Sequence, residues 1–548
     1  MNFPRLRATF TVRGFQYRVA AALVSGLLMS MAYPPLDYSW AGWVSLFPLT
    51  IAFIWFPPQQ RFLVIESLIF GASFFFVTLF WVTEVSVFGW ILLSGMMSLY
   101  PAIWLNLMVP VFRAACNSLT SLKNLKRAGL GATLWVGLEW VRGWLLTGFP
   151  WNYLGVSQWK MVGVIQIAEW GGVLLVSWLV AFISIVLGLT VIRLVEELRR
   201  RQKMRPHFEF TLGMLLLGLV ILFGIHVIFK KDIVTKEVRV LAVQPDIPQD
   251  PWKHTMSLTE VVAKLEVLSI SGLSQHSGQI DMVVWPETPA GGEMYSTSEF
   301  REALESITMH QQVPLLAGST IHAGTNLYNS AMLYPGDGGP PQLYYKNHLV
   351  LMGETVPLAD HVPLIRKWSP LGQNFTAGTA ATVLSTNLPN GYSLQIAPLI
   401  CFEDIFGYMA RRYTDTGAEI MVNITNDGWF NQSAQSRQHF ANAVFRAIEN
   451  RMPLLRVANN GITGLIDHKG VIVENGFLGE FDQPSARQAG VFHGIIKVPQ
   501  QQTTLYQRFG NWVGILGLIG VLIYLPFWWK DSSCVRHEKP LPAKPDSV

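Results

Sequence analysis

Cys401 closes an apolar, strand-like run, Leu394-Gln395-Ile396-Ala397-Pro398-Leu399-Ile400, and is followed at once by Phe402-Glu403-Asp404. It is the only cysteine between residues 235 and 506, so that stretch offers it no disulfide partner. A lone cysteine is most often a small buried hydrophobe; the other reading is a nucleophile presented at a strand's end. Two further segments favour the nucleophile. Asp281-Met282-Val283-Val284-Trp285-Pro286-Glu287-Thr288 sets a carboxylate at one strand end, and Leu343-Tyr344-Tyr345-Lys346-Asn347-His348 sets an ammonium within another. Singly, a solvated glutamate and a lysine laid along the surface would suffice. Glu, Lys and Cys in order on three strand-like runs make a catalytic set.

The chemistry such a set suits is acyl transfer from an ester. A thiolate is the nucleophile, and a nearby positive charge stabilises it. Glu287, held in a partly apolar strand end, is expected to serve first as base and then as acid. A lysine kept charged by a neighbouring carboxylate is no base, so Lys346 faces the oxyanion, helped by the backbone N–H of Phe402.

What must position these groups is largely a membrane protein. Of 548 residues, 50% are hydrophobic and only 14% charged, against roughly 25% charged in soluble domains; the mean hydropathy is +0.31. Eight apolar segments approach the length of about 20 residues that a bilayer requires: 17–34, 39–57, 62–82, 88–112, 129–147, 170–192, 209–229 and 509–529. No small-residue cleavage site follows the first, which reads as a retained span. Lys and Arg collect in the amino-terminal arm, in the loops after the fourth and sixth segments and in the carboxyl tail, whereas loops 35–38 and 83–87 hold none. Both termini are therefore expected in the cytoplasm and residues 230–508 outside it. The net charge of +5 is spent on this pattern and not on a nucleic-acid surface. Glu139 and Arg142, i and i+3 within the fifth segment, are expected to pair with each other. Thr147-Gly148-Phe149-Pro150-Trp151-Asn152-Tyr153 reads as an interfacial anchor on the outer face.

From Val238 the pattern changes to short strands alternating with helices: strands at 238–243, 281–285, 313–318, 328–333, 341–346, 393–400 and 419–424, with helices near 256–273 and 435–451. Such alternation predicts α/β layers. No Gly-rich phosphate loop joins a strand to a helix, which argues against a nucleotide site. Three unpaired cysteines and 12 scattered histidines give no metal-ligand spacing. The division expected is a membrane domain, 1–229, carrying seven spans; a catalytic domain, 230–508; a last span, 509–529; and a cytoplasmic tail, 530–548.

Trp285-Pro286-Glu287-Thr288, Lys346-Asn347-His348-Leu349-Val350-Leu351-Met352-Gly353-Glu354 and Cys401-Phe402-Glu403-Asp404 resemble the Glu-Lys-Cys signatures of the nitrilase superfamily. With eight spans around them, and with Gly148-Phe149-Pro150-Trp151-Asn152, Ile247-Pro248-Gln249 and Asn423-Ile424-Thr425-Asn426-Asp427-Gly428-Trp429-Phe430, residues 17–529 resemble that superfamily's membrane-embedded branch, the apolipoprotein N-acyltransferases. The resemblance implies a polytopic α-helical membrane protein carrying an extracytoplasmic α-β-β-α sandwich in the periplasm, anchored in the bacterial inner membrane. It implies a Glu287–Lys346–Cys401 triad oriented by Glu354, and a cleft where Trp252, Phe402 and Glu403 contact substrate. It implies a phospholipid acyl donor, an acceptor amine on the diacylglyceryl-cysteine of an apolipoprotein, ping-pong chemistry through a Cys401 thioester, no cofactor or metal, and action as a monomer. Leu351-Met352 and Phe402 depart from the family's usual Pro-Phe and Tyr but keep apolar bulk, which bears on donor preference. A membrane-anchored amidase of a small periplasmic substrate is the competing enzyme reading. A transporter is a third, against which the spans show no clear midplane ion site.

Overall fold

The structure, a computed structural model, describes residues 12–249, 256–275, 278–289, 293–356, 374–430, 433–473 and 489–536. Among the described residues, five helices are long and apolar enough to cross a membrane by length and composition: Arg61–Thr78, Val87–Cys116, Val173–Arg199, Phe208–Phe229 and Trp512–Trp529. The segment at 17–34 falls largely in helix Val12–Met31, and that at 129–147 in Ser121–Arg142, whose first turns carry Lys123, Lys126 and Arg127. The segment at 39–57 is broken into Ser39–Val44 and Phe47–Trp55. Pro48 causes the break, since it has no N–H to continue the first helix and fits the first turn of the second.

The catalytic half is two sheets. One holds six strands in the order β11-β1-β2-β3-β4-β5 and the other five in the order β10-β9-β8-β7-β6. In chain order they are β1 (Val234–Gln244), β2 (Met282–Val284), β3 (Leu315–Ala323), β4 (Asn326–Tyr334), β5 (Gln342–Tyr345), β6 (Leu384–Asn387), β7 (Ser393–Ile400), β8 (Ile420–Thr425), β9 (Leu454–Ala458), β10 (Gly464–Ile466) and β11 (Gly490–Pro499). The period-2 alternation of each strand divides its side chains between two cores. Val240, Ala242, Val284, Leu316 and Leu333 meet Ile396, Ile400, Val422, Ile424 and Val457 between the sheets. Leu241, Val243, Val283 and Leu315 face outward under helix Leu258–Gln275. This is the α-β-β-α sandwich.

The far face of the second sheet is unusual. Ala397, Leu399, Met421 and Leu454 pack in one continuous core with helix Gln435–Asn450 and with the helices of the amino-terminal half. The outer helical layer of the sandwich is thus also the seat on which the membrane bundle rests. Arg451 binds Glu169 at 2.6 Å, and the Glu449 carboxylate accepts the N–H of Val173 at 2.9 Å, capping helix Val173–Arg199 with the charge its amino end favours.

Two expectations are corrected here. Glu139 and Arg142 do not pair with each other. The Glu139 carboxylate accepts the N–H of Leu154 at 2.6 Å, while the Arg142 guanidinium donates to the carbonyls of Phe149 and Trp151 at 3.0 and 2.6 Å. Both charges are spent on the 147–155 segment, whose irregular backbone needs partners that a helix supplies internally. That segment is consequently no interfacial anchor: Trp151 and Asn152 are buried, wedged between the two halves.

The last helix, Trp512–Arg536, lies against Ser121–Arg142 at a crossing of small residues. A Cβ on Gly137 would stand 2.5 Å from the carbonyl carbon of Gly517. Gly137→Leu should therefore force the helices apart and lower the unfolding midpoint of the detergent-solubilised protein by several degrees, an overpacking cost of about 1–3 kcal/mol or more. A midpoint equal to wild type would show that the helices do not cross there.

Candidate active site

Three strand ends deliver the three residues. Glu287 follows β2, Lys346 follows β5 and Cys401 follows β7. Gly318 on β3 makes room for the first: a Cβ there would sit 2.5 Å from the Pro286 oxygen and 2.7 Å from the Glu287 Cα. At Cys401 the chain turns from strand into a short 3-10 turn, Cys401–Ile405, through a left-handed φ of 52°. A cysteine pays conformational strain in that region, and the surroundings hold it: Asn423 Nδ2 donates to the Cys401 carbonyl at 2.9 Å. The N–H of Phe402 opens the turn, where no intrahelical acceptor is available.

Lys346 is almost fully buried and lies between two carboxylates, 3.2 Å from Glu287 Oε1 and 2.8 Å from Glu354 Oε1. Burial works against its charge, but Glu287 and Glu354 outweigh it and hold the ammonium well above the ordinary lysine range. Glu354 is fixed in turn by the Val350 N–H at 2.9 Å. Asn329 on β4 completes the group, its Nδ2 donating to Glu287 Oε1 at 2.8 Å and to Glu354 Oε1 at 2.9 Å. Sequence reasoning passed over Asn329; the available signal was a carboxamide at the start of an otherwise apolar strand run.

The Cys401 thiol is pushed up by burial and by the Glu287 carboxylate, against a downward pull from Lys346. Cys401 is therefore held toward the thiol form, because one cation is opposed by burial and a carboxylate.

Beneath the nucleophile lies a buried ionic cluster. Arg456 on β9 bonds Asp404 at 2.6 Å and Asp427 at 2.9 Å, and His439 bridges the same two carboxylates at 2.8 and 3.0 Å. Burial alone would raise the Asp427 carboxyl, but Arg456 and His439 hold it far below the usual range. Arg456 occupies the place between the carboxylates that a cation would take. Its Nη1 also reaches Asn423 Oδ1 at 3.3 Å, linking the cluster to the Cys401 carbonyl.

Glu403 departs from its expected part against substrate. It is fully buried, and its carboxylate accepts the N–H groups of Asn347 and His348 at 2.7 and 3.0 Å, that of Ile400 at 2.8 Å and the Tyr344 hydroxyl at 2.9 Å. With four donors converging on it, Glu403 ties the Lys346 loop to the Cys401 turn. Burial pushes its carboxyl up to about 7. Phe402 is half-buried, stacked 6.1 Å from Phe149 and 6.2 Å from Trp151, both from the membrane half, and 5.2 Å from Phe406. His348, 3.9 Å from Phe406, is driven down to about 4 by burial and by Lys346 and is neutral near pH 7. Trp252 lies outside the described residues.

Residues 25–186 match the family model of the apolipoprotein N-acyltransferase N-terminal domain, and residues 239–481 match that of carbon-nitrogen hydrolase. The chain is 31% identical over 519 residues to an apolipoprotein N-acyltransferase of Geobacter metallireducens, covering 90% of this chain and 93% of that one. It is 29% identical over 539 residues to that of Methylococcus capsulatus, covering 94% and 97%. Among solved structures it is similar to Nit3 of Saccharomyces cerevisiae, a nitrilase-superfamily member, with 14% identity, a TM-score of 0.36 and coverage of 51% of this chain and 95% of that one.

Two outcomes test this geometry. Alkylation of Cys401 by iodoacetamide tracks the thiolate fraction, so a raised pKa means slow reaction at pH 7 and a rise of about tenfold per pH unit toward pH 9. Lys346→Met should slow it further, and a rate flat between pH 6 and 8 would sink the thiol assignment. In Glu403→Gln, either orientation of the amide points N–H at N–H or O–H donors. That change should lower stability by about 1–3 kcal/mol and cut turnover with little change in KM. A pure KM effect would restore Glu403 to the substrate.

Proposed function

Since this chain belongs to the apolipoprotein N-acyltransferase family, we propose that it transfers an acyl chain from a phospholipid to the α-amino group of a lipoprotein's diacylglyceryl-cysteine by way of a Cys401 thioester. The observation that carries this is the wall around the nucleophile. Phe149 and Trp151 from the helical half stack on Phe402, the residue after Cys401, and Phe406 of the sandwich meets Phe402 edge-on, an apolar setting suited to a lipid ester and poor for water.

In the first half-reaction the Cys401 sulfur attacks the ester carbonyl and its proton passes to Glu287. The oxyanion meets the Lys346 ammonium and the Phe402 N–H. As the C–O bond breaks, Glu287 returns the proton to the departing glycerol oxygen, and a lysophospholipid leaves. In the second half-reaction the neutral amine attacks the thioester. Glu287 takes a proton from nitrogen, the C–S bond breaks, and the proton goes to sulfur as the amide forms. Lys346 carries charge throughout and moves no proton. Glu354 and Asn329 keep Glu287 and Lys346 in register.

The distribution of Lys and Arg supports eight spans, both termini in the cytoplasm, and residues 230–508 on the periplasmic face of the inner membrane. There both lipid-anchored substrates reach the site by lateral diffusion, which raises their effective concentration. The protein acts as a monomer in this reading, its site being built from one chain.

Incubation with phospholipid alone should add one acyl mass to Cys401, removable by neutral hydroxylamine. A diacylglyceryl-cysteine peptide should then become N-acylated, and blocking its α-amino group should abolish the product. Glu287→Gln and Lys346→Met should each slow the reaction roughly a hundredfold or more. Rapid release of free fatty acid that ignores the peptide would instead identify a hydrolase.

A further inference from the structure

The Gly148-Phe149-Pro150-Trp151-Asn152 segment takes no direct part in the proton and acyl transfers, yet the catalytic half holds it through one side chain. Gln438, on helix Gln435–Asn450, is 1% exposed. Its Oε1 accepts from Trp151 Nε1 at 2.7 Å, from Trp81 Nε1 at 3.1 Å and from Asn152 Nδ2 at 3.2 Å. Its Nε2 donates to the Pro34 carbonyl at 2.8 Å and the Thr78 carbonyl at 3.1 Å. A carboxamide has two N–H groups and two lone pairs, so this one is fully used. Three separate connections of the membrane half converge on it.

The rings it orients lead to the nucleophile. Trp151 is stacked on Phe402, the residue after Cys401, and lies 5.4 Å from His439 of the buried ionic cluster. Trp81 lies 5.2 Å from Trp151 and meets Phe430 edge-on at 4.9 Å. Packing alone would keep these indoles buried; a shared acceptor also fixes how they are turned. Without it, five buried polar groups lose their partner at once. The least costly response is for the 78–81 and 148–153 segments to shift toward water, which opens the wall beside Phe402.

We propose that Gln438 is a positioning residue for the transfer: by holding Trp151 and Trp81 it keeps water from the Cys401 thioester until the amine arrives. This rests on the reading of Cys401 as the acyl carrier. The test compares the full-length wild type, Gln438→Met, Gln438→Glu and Trp151→Phe in phospholipid–detergent micelles. It follows the acyl adduct on Cys401 by intact mass, free fatty acid release, N-acylated peptide after the acceptor is added, and the unfolding midpoint.

Gln438→Met and Trp151→Phe should still form the adduct, but its hydrolysis should quicken roughly tenfold or more and the ratio of transfer to hydrolysis should fall in step. Gln438→Glu, which keeps an acceptor oxygen for both indoles but must be protonated to donate to the Pro34 or Thr78 carbonyl, should recover part of that ratio, and more of it as the pH is lowered. A merely structural role would move the midpoint and leave the ratio alone. If Gln438→Met does not fold, Trp151→Phe carries the test, since it retains most of the aromatic surface and loses the indole N–H. Adduct lifetimes equal to wild type in Trp151→Phe and in whichever Gln438 variant folds overturn the proposal. A wild-type protein that forms no adduct removes the acyl-carrier reading, and this proposal with it.

Discussion

Everything in this molecule turns on a helix that the sandwich and the membrane bundle share. Gln435–Asn450 closes one face of the sandwich and is also enclosed by the membrane bundle, so nearly all of its side chains are buried. A helix in that position has no solvated face on which to leave polar groups. Gln438, His439, Arg446 and Glu449 must therefore find partners in protein, and each does: membrane-side loops, the cluster under Cys401, the Ile405 carbonyl and the first turn of Val173–Arg199. The junction is specific because unpaired polar groups there are costly.

The same dryness sets the charge state of the site. One ammonium, Lys346, is held between two carboxylates, Glu287 and Glu354. Adding a thiolate would bring a further negative charge into a volume with little water to spread it. In the proposed transfer, keeping the sulfur protonated until an ester carbonyl is present delays its full negative charge until that charge passes to the oxyanion, beside Lys346.

Much of this was legible in the sequence. The runs carrying Glu287, Lys346 and Cys401 stood out because each reads as an apolar segment ending in a polar residue, β2 and β7 with parallel neighbours and β5 as an antiparallel edge strand, and the structure sets Glu287 and Glu354 within 3.2 Å of Lys346. Three kinds of feature were not legible. β6, β10 and β11 are short or lie far from the strands they pair with, and nothing local marks them. Asn329 and Arg456 are polar residues within apolar strands, and only the three-dimensional partners distinguish a positioning group from an exposed one. Charges inside an apolar helix, such as Glu139 and Arg142, suggest each other as partners until the chain that folds back over them is seen. For Glu403 the family resemblance implied contact with substrate, whereas the four donors on its carboxylate are all from the protein.

The pairing of β1 with β11 has a consequence for how the chain is made. Val234 to Gln244 zip antiparallel onto Gly490 to Pro499, so the sandwich leaves the helical half and returns to it at neighbouring points. During synthesis one edge of β1 stays open until its partner, some 250 residues later, has been translated. The last helix begins at Trp512, barely a dozen residues beyond β11. Closure of the sheet and insertion of the final span are therefore nearly simultaneous events, and an interruption between them leaves an exposed strand edge, the kind of surface that recruits chaperones or aggregates.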